Sequence, residues 1–330
     1  MRRSTFLTLS LAAAAGTRAA AQSAFDPATS SSQAALRVLL GTGELAAGAG
    51  DGFTFNGRAY RGRATRLDDG SVINTLGLEE YLYSVVPREM SAGWPAAALQ
   101  AQAVCARTYV LQRSNPRRAY DVVPSEADQV YLGIATETPS GRAAVDASAG
   151  MVLWYGTGFA QVMYSSCCGG HTEASSDAWG GPPFPYLCGV VCTTCTDSPY
   201  YRWQRELDVG LIAQAFDAEL APYAPLQGIA VGERDPSGRA RDFFLQGERG
   251  VLTVKGSAFR LRIGPRVLPS LLITKIEPAT EAPERIIIEG GGLGHGVGLC
   301  QWGARGLAQA GASFSDILHF YFPGTEIEHE

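Results

Sequence analysis

Apolar residues recur at helical spacing through Leu99, Ala103, Ala106 and Val110, which predicts a long helix opening at Pro95 with one buried stripe. Proline suits the first helical position because its missing N–H would have had no partner there. Upstream, LGLEEYLYSVV predicts a shorter helix from Leu78 to about Val85. The chain between the two turns through Pro87 and places Glu89 on an elbow belonging to neither helix. Before this pair, ALRVLL, FTFNGRAYRGRATRL and SVINTL alternate apolar and polar positions between GDG, NG and DDG turns, the pattern of short antiparallel strands. After it, residues 142–155 read as a helix, a glycine stop and a strand, and FAQVMYSS reads as a second strand running into the loop CCGGHTEASSDAWGG. A helix (VGLIAQAF) and the strands IAVGERD, DFFLQG and VLTVKG then form a β-rich sub-domain over about residues 208–277. The last segment reads as the strand RIIIEGG, a glycine-rich loop around His295 and a helix from about Gln301.

The 330-residue chain carries a formal charge of −5 and no dense basic run, which argues against nucleic-acid binding, an interaction driven by phosphate neutralisation. Residues 1–21 read as a signal peptide: Arg2 and Arg3, an apolar run from Phe6 to Ala15 too short to span a membrane, then Ala19, Ala20 and Ala21 as a small-residue cleavage site. The mature protein is therefore expected to be exported, periplasmic or extracellular, without a transmembrane segment, and residues 22–33 to be a flexible linker to one domain over 34–330. Export makes the seven cysteines readable as disulfide candidates. Cys167, Cys168, Cys188, Cys192 and Cys195 cluster, and a C-x3-C-x2-C spacing with an upstream Cys pair is also compatible with zinc thiolates. An oxidising compartment favours one or two disulfides, with Cys105 the expected free thiol.

Glu89 has apolar neighbours in Pro87, Met90 and Trp94, and desolvation keeps a carboxyl protonated closer to neutral pH, as a general acid requires. An acidic residue in such a turn is otherwise a solvated helix cap. The loop GGGLGHGVG is neither a nucleotide P-loop nor a dinucleotide fingerprint, so it does not imply phosphate binding. His295 is instead expected on the wall of a groove, donating to a ligand or orienting Glu89, with Gln301 in support. Arg107 reads either as a substrate-binding or Glu89-tuning residue or as half of a salt bridge.

LEEYLYSVVPREM followed by WPAAALQAQAVCARTYVL, Y-x-S-x-x-G-G-x-T-E at Tyr164 to Glu173, and GHGVG-x-x-Q-W-G-A with a later Y-F-P-G-T together resemble the sporulation stage II protein D family, also called the amidase enhancer family. The likeness extends over about residues 34–326. It implies an α+β fold, strand-rich and mixed, with a few helices around a central cleft. It implies a peptidoglycan lytic transglycosylase with Glu89 as catalytic acid and base, and glycan strands as the partner. Arg107, Tyr164, Ser165, Ser166, His171, His295 and Gln301 are then the substrate-binding candidates. By the same resemblance Cys168 pairs with Cys195, with Cys188 and Cys192 as a candidate second bridge. Some relatives bind zinc through Cys and His in the loop at residues 120–133, but here Val123, Ala127 and Asp128 stand in those places, so no metal and no cofactor is expected. The alternative is a glycan-binding module without catalysis that stimulates a cell-wall N-acetylmuramoyl-L-alanine amidase.

Overall fold

The strand Ser71–Gly77 runs without a break into the helix Leu78–Glu89, and this junction sets the direction of everything that follows. The strand is central in a three-stranded antiparallel sheet, paired with Ala35–Thr42 on one side and Arg63–Arg66 on the other. The computed structural model of the protein describes residues 35–330 apart from 49, 51 and 281; the expected signal peptide and linker lie outside the described residues. Glycine at position 77 leaves its side unblocked, so the Glu80 carboxylate reaches back 3.3 Å to the Gly77 N–H and closes the first turn.

The first helix does not stop before Pro87, as the sequence suggests, but continues through it to Glu89. Proline costs a helix one internal bond and crowds the preceding turn. In the final turn that cost is small, and the Met90 N–H still bonds the Val86 carbonyl at 3.0 Å. Glu89 is therefore the last helical residue rather than part of a free elbow. The second helix, Ala96–Arg113, is buried on nearly every side from Ala98 to Val110, not along one stripe. Its run of alanines and small side chains lets the helices Leu78–Glu89, Pro139–Ala147, Gln301–Gln309 and Phe314–Tyr321 and the strand Met151–Tyr155 pack on it at once.

The fold is α+β, with short strands in several small sheets. Among the described residues two hydrophobic cores support it. The larger gathers around the Ala96–Arg113 helix and takes in Val85, Leu99, Leu153, Leu299 and Phe322. The second, between Trp203 and Ile288, fills the space between the sheet formed by Trp203–Asp208, Ala282–Gly291 and Leu272–Ala279 and the sheet formed by Leu226–Val231, Asp242–Gly247 and Gly250–Lys255. Beside them lies a helix, Gly256–Ile263, whose Phe259 stacks with both Phe216 and Phe243. Among the described residues no helix is long and apolar enough to cross a membrane.

Candidate functional site

A two-residue parallel pairing joins distant parts of the chain: Leu299 and Cys300 lie against Tyr164 and Ser165. Isolated bridges extend the contact, Cys167 to Leu293 and Glu173 to Val297. The loops SSCCGGHTE and GGGLGHGVG thus run side by side, and the helix Gln301–Gln309 starts where they meet. Close approach demands glycine here: a Cβ on Gly294 would stand 2.8 Å from the Ser165 Cβ, and its φ of +105° already excludes most side chains.

This junction delivers Gln301 to Glu89. The Gln301 Nε2 donates to the Glu89 Oε2 at 3.2 Å and to the Gln102 Oε1 at 3.3 Å, linking residues 212 and 199 positions apart. Glu89 is half-buried. Its carboxyl pKa is raised, first by desolvation; the Gln301 hydrogen bond and the Arg88 charge oppose the shift, and Glu126 adds to it. The carbonyl end of the Leu78–Glu89 helix also disfavours negative charge at its last residue. Three buried polar atoms in this neighbourhood have no hydrogen-bond partner among the described residues: the Tyr81 hydroxyl, the Gln102 Nε2 and the Gln129 Oε1. Buried polar groups are ordinarily satisfied, so such orphans next to a desolvated carboxyl mark a place for water or ligand. Tyr164 belongs to the same set. Its hydroxyl accepts from the Gln129 Nε2 at 3.0 Å, and its pKa is raised well above the ordinary value by burial and then by the Glu89 charge. At the rim, Trp94 and Trp302 meet edge to face at 5.0 Å with the Arg305 guanidinium over both.

The other candidates occupy different positions. His295 forms no hydrogen bond to Glu89; its Nδ1 accepts from the Val297 N–H at 3.0 Å, and its ring lies 5.2 Å from that of Trp179, which is 53 % exposed. Burial pushes its imidazole down to about 4, and the Arg239 and Arg260 charges add to the shift, so the ring is neutral at neutral pH. The stability linked to this shift is full above the imidazole's ordinary value and is lost as pH falls through about 4. We expect the His295 ring resonances to titrate near pH 4 by NMR; a midpoint near 6.5 would contradict the burial. Ser165 accepts from the Gly296 N–H at 3.2 Å, and the Ser166 carbonyl accepts from the Trp302 N–H at 3.0 Å, so both hold the junction together. His171 is half-buried, with Nδ1 2.6 Å from the Thr172 carbonyl oxygen.

Arg107 takes the salt-bridge reading rather than the substrate-binding one. It is fully buried, and its guanidinium is spent on a two-pronged pair with Glu79 at 2.9 and 2.6 Å and on the Met151 carbonyl at 3.0 Å. A substrate cannot reach it, and Glu79 is thereby removed from any role beside Glu89. Arg239 lies in the β-rich sub-domain, in a turn whose sequence gives no sign of a buried role. It is 1 % exposed, donates to the carbonyls of His171 and Cys168 at 2.9 and 2.7 Å, and stands 3.5 Å from the Glu173 carboxylate. Burial pushes the Glu173 carboxyl up to about 8, with Asp235 and Asp177 adding and Arg239 opposing. Gly296 is what admits this arginine, since a Cβ there would collide with its guanidinium.

The cysteine pairs are a correction. Among the described residues no two sulfurs are at bonding distance: the Sγ atoms of Cys168 and Cys195 are 3.7 Å apart, and Cys188 is exposed, whereas Cys192 is buried with Cys168, Cys195 and Cys300. Two surface depressions, one lined by Leu45, Phe53 and Arg63 and the other by Arg61, Glu137 and Arg142, do not include Glu89.

Comparison with known proteins shows what the chain is similar to. The family described as Stage II sporulation protein matches residues 67–155, which contain both helices of the Glu89 site, and a domain of unknown function matches residues 193–298. An uncharacterized protein of Brachyspira hyodysenteriae is 34 % identical over 288 residues, covering 84 % of this chain and 74 % of its own length. Stage II sporulation protein D of Bacillus amyloliquefaciens is 29 % identical over 279 residues, covering 79 % of this chain and 77 % of its own. The amidase enhancer of Bacillus subtilis is 29 % identical over 294 residues, covering 74 % of this chain but 40 % of its own length, so this chain spans less than half of that relative. With the 34 % identity spread over most of both chains, and the Glu89 helices inside the matched segment, the protein belongs to the stage II sporulation protein D family.

Proposed function

We propose that this protein is an exported lytic transglycosylase that cuts the glycan strands of peptidoglycan, with Glu89 as both general acid and general base. The observation that carries the reading is the desolvated Glu89 carboxyl, held by Gln301 from the far end of the chain beside unsatisfied polar atoms. Protonated, Glu89 gives its proton to the glycosidic oxygen as the bond from C1 of N-acetylmuramic acid breaks. The same sugar's C6 hydroxyl closes onto C1 as a 1,6-anhydro ring, and its proton passes to the Glu89 carboxylate. Because the nucleophile is part of the substrate, proximity replaces an activated water and one carboxyl suffices.

The surroundings of the other carboxylates support this choice over hydrolysis, which uses two. Glu79 is tied to Arg107, Glu80 closes its own helix, and Glu173 faces Arg239. Glu126 is exposed and touches Glu89 only through its charge. The test is the chemistry of the new chain ends. Anhydro ends cannot be reduced, so on strands whose own reducing ends were reduced before digestion borohydride should leave the products' mass unchanged; reducible products would mean hydrolysis with a second carboxylate such as Glu126 and would overturn the reading.

The second reading, a module that binds glycan and stimulates an amidase, is favoured by the name of the Bacillus subtilis relative. It is distinguished by adding an N-acetylmuramoyl-L-alanine amidase. Faster release of stem peptides with no new glycan ends would support it.

A further inference from the structure

Four cysteines from three separate segments converge at the root of the Gln301–Gln309 helix: Cys168 from the strand-end loop, Cys192 and Cys195 from the following loop, and Cys300 as the helix N-cap. All four are buried, and their sulfurs lie within 4.8 Å of one another. Four thiolates held at about 2.3 Å around a single zinc stand about 3.8 Å apart, the edge of a tetrahedron of that size. The Cys168 and Cys195 sulfurs are 3.7 Å apart. A disulfide requires about 2.0 Å. The sulfurs are also too close together to enclose an iron–sulfur cluster, whose inorganic sulfides and several irons sit between the thiolates.

Hydrogen-bonding groups surround two of the sulfurs. The Cys168 N–H donates to the Cys300 Sγ at 3.2 Å, and the Gly303 N–H donates to it at 3.4 Å. The Tyr321 hydroxyl is 3.2 Å from the Cys192 Sγ. Donors aimed at ligand sulfurs are the usual outer support of a metal–thiolate centre, and the positive end of a nine-residue helix adds to them. Gly303 keeps the space open, since a Cβ there would lie 2.5 Å from the Cys192 Sγ.

We propose that Cys168, Cys192, Cys195 and Cys300 bind one structural zinc(II) ion. Four thiols give up four protons and the metal takes all four sulfurs, leaving no open position for substrate. The ion ties both motif loops to the helix that carries Gln301, next in sequence to a ligand, and so fixes the hydrogen bond made to Glu89. This site is distinct from the zinc loop of some relatives, whose place at residues 120–133 lacks the ligands here.

The test uses the protein purified without reductant or chelator. Elemental analysis should find one zinc per chain, and denaturation with chelator and an alkylating agent should label all seven cysteines. Cys192→Ser and Cys300→Ser should lower the zinc content several-fold, while Cys188→Ser should leave it unchanged. Should the serine variants fail to fold, cobalt(II) exchanged into the unaltered protein should give the intense visible bands of a tetrahedral tetrathiolate. Absence of zinc together with a mass deficit of two hydrogens per cysteine pair would show disulfides and overturn the proposal. A weak octahedral cobalt spectrum would also overturn it.

Discussion

Glu89→Gln is expected to abolish glycan cleavage, with a loss of at least the 10²–10⁴-fold that a positioned general acid ordinarily contributes. The substitution keeps the shape of the side chain, and the Gln301 Nε2 can donate to an amide oxygen as it does to the Glu89 Oε2 at 3.2 Å. Folding should therefore survive, and glycan binding with it. The sign of the stability change follows from the raised carboxyl pKa. A carboxyl whose pKa is higher in the folded chain contributes stability at low pH that is lost as pH rises through the folded value. Glutamine never ionises, so above that value the variant should melt no lower than the parent. The parent's activity should decline on the alkaline side of the same pKa. A variant that retains cleavage within tenfold of the parent would remove Glu89 from the reaction.

Arg239→Ala is expected to have the largest effect on stability. The side chain is almost fully buried, and its removal strands the carbonyls of Cys168 and His171 and leaves Glu173 facing a void. Breaking one side of a buried ion pair costs about 3–5 kcal/mol. With burial pushing its carboxyl up to about 8, Glu173 is already largely protonated at neutral pH, so the pair carries only part of that cost and the stranded carbonyls carry the rest. A loss of about 3 kcal/mol by denaturant unfolding is the expected result. Arg241→Ala is the control: its pair with Asp177 is partly exposed, and such pairs contribute about 1 kcal/mol or less. Equal effects of the two substitutions would show that the Arg239 cluster does not hold the loops.

Local pattern made much of this protein readable. The strand run before Leu78, the two helices that follow and the glycine-rich approach to Gln301 all announce themselves through short-range spacing, whereas Glu89 is singled out by the family resemblance more than by its apolar neighbours Met90 and Trp94. What spacing cannot carry is the identity of partners far along the chain. Spacing leaves Arg107 open between a substrate contact and a salt bridge because its partner Glu79 lies 28 positions away, on a helix whose charged residues would ordinarily face solvent. Arg239 looks like part of a surface turn, SGRA, and only its reach of 71 positions to Cys168 reveals it as an interior support. The cysteine spacing left zinc and disulfides both open. Cys300, more than a hundred residues away, could not be added to the set until the parallel pairing with Ser165 placed it there. Pro87 misled in the opposite direction: proline usually breaks a helix, but in the last turn it removes only one bond and leaves Glu89 helical.

The role of Glu89 in glycan cleavage is tested most directly by mass spectrometry of glycan strands, intact and stripped of peptides, incubated with the protein and with its Glu89→Gln variant. Fragments ending in 1,6-anhydro-N-acetylmuramic acid, lighter than hydrolysis products by one water, should form with the parent protein and be absent with the variant. Uncut strands in both incubations, with both proteins still binding glycan, would contradict the transglycosylase and leave the amidase-stimulating module in its place.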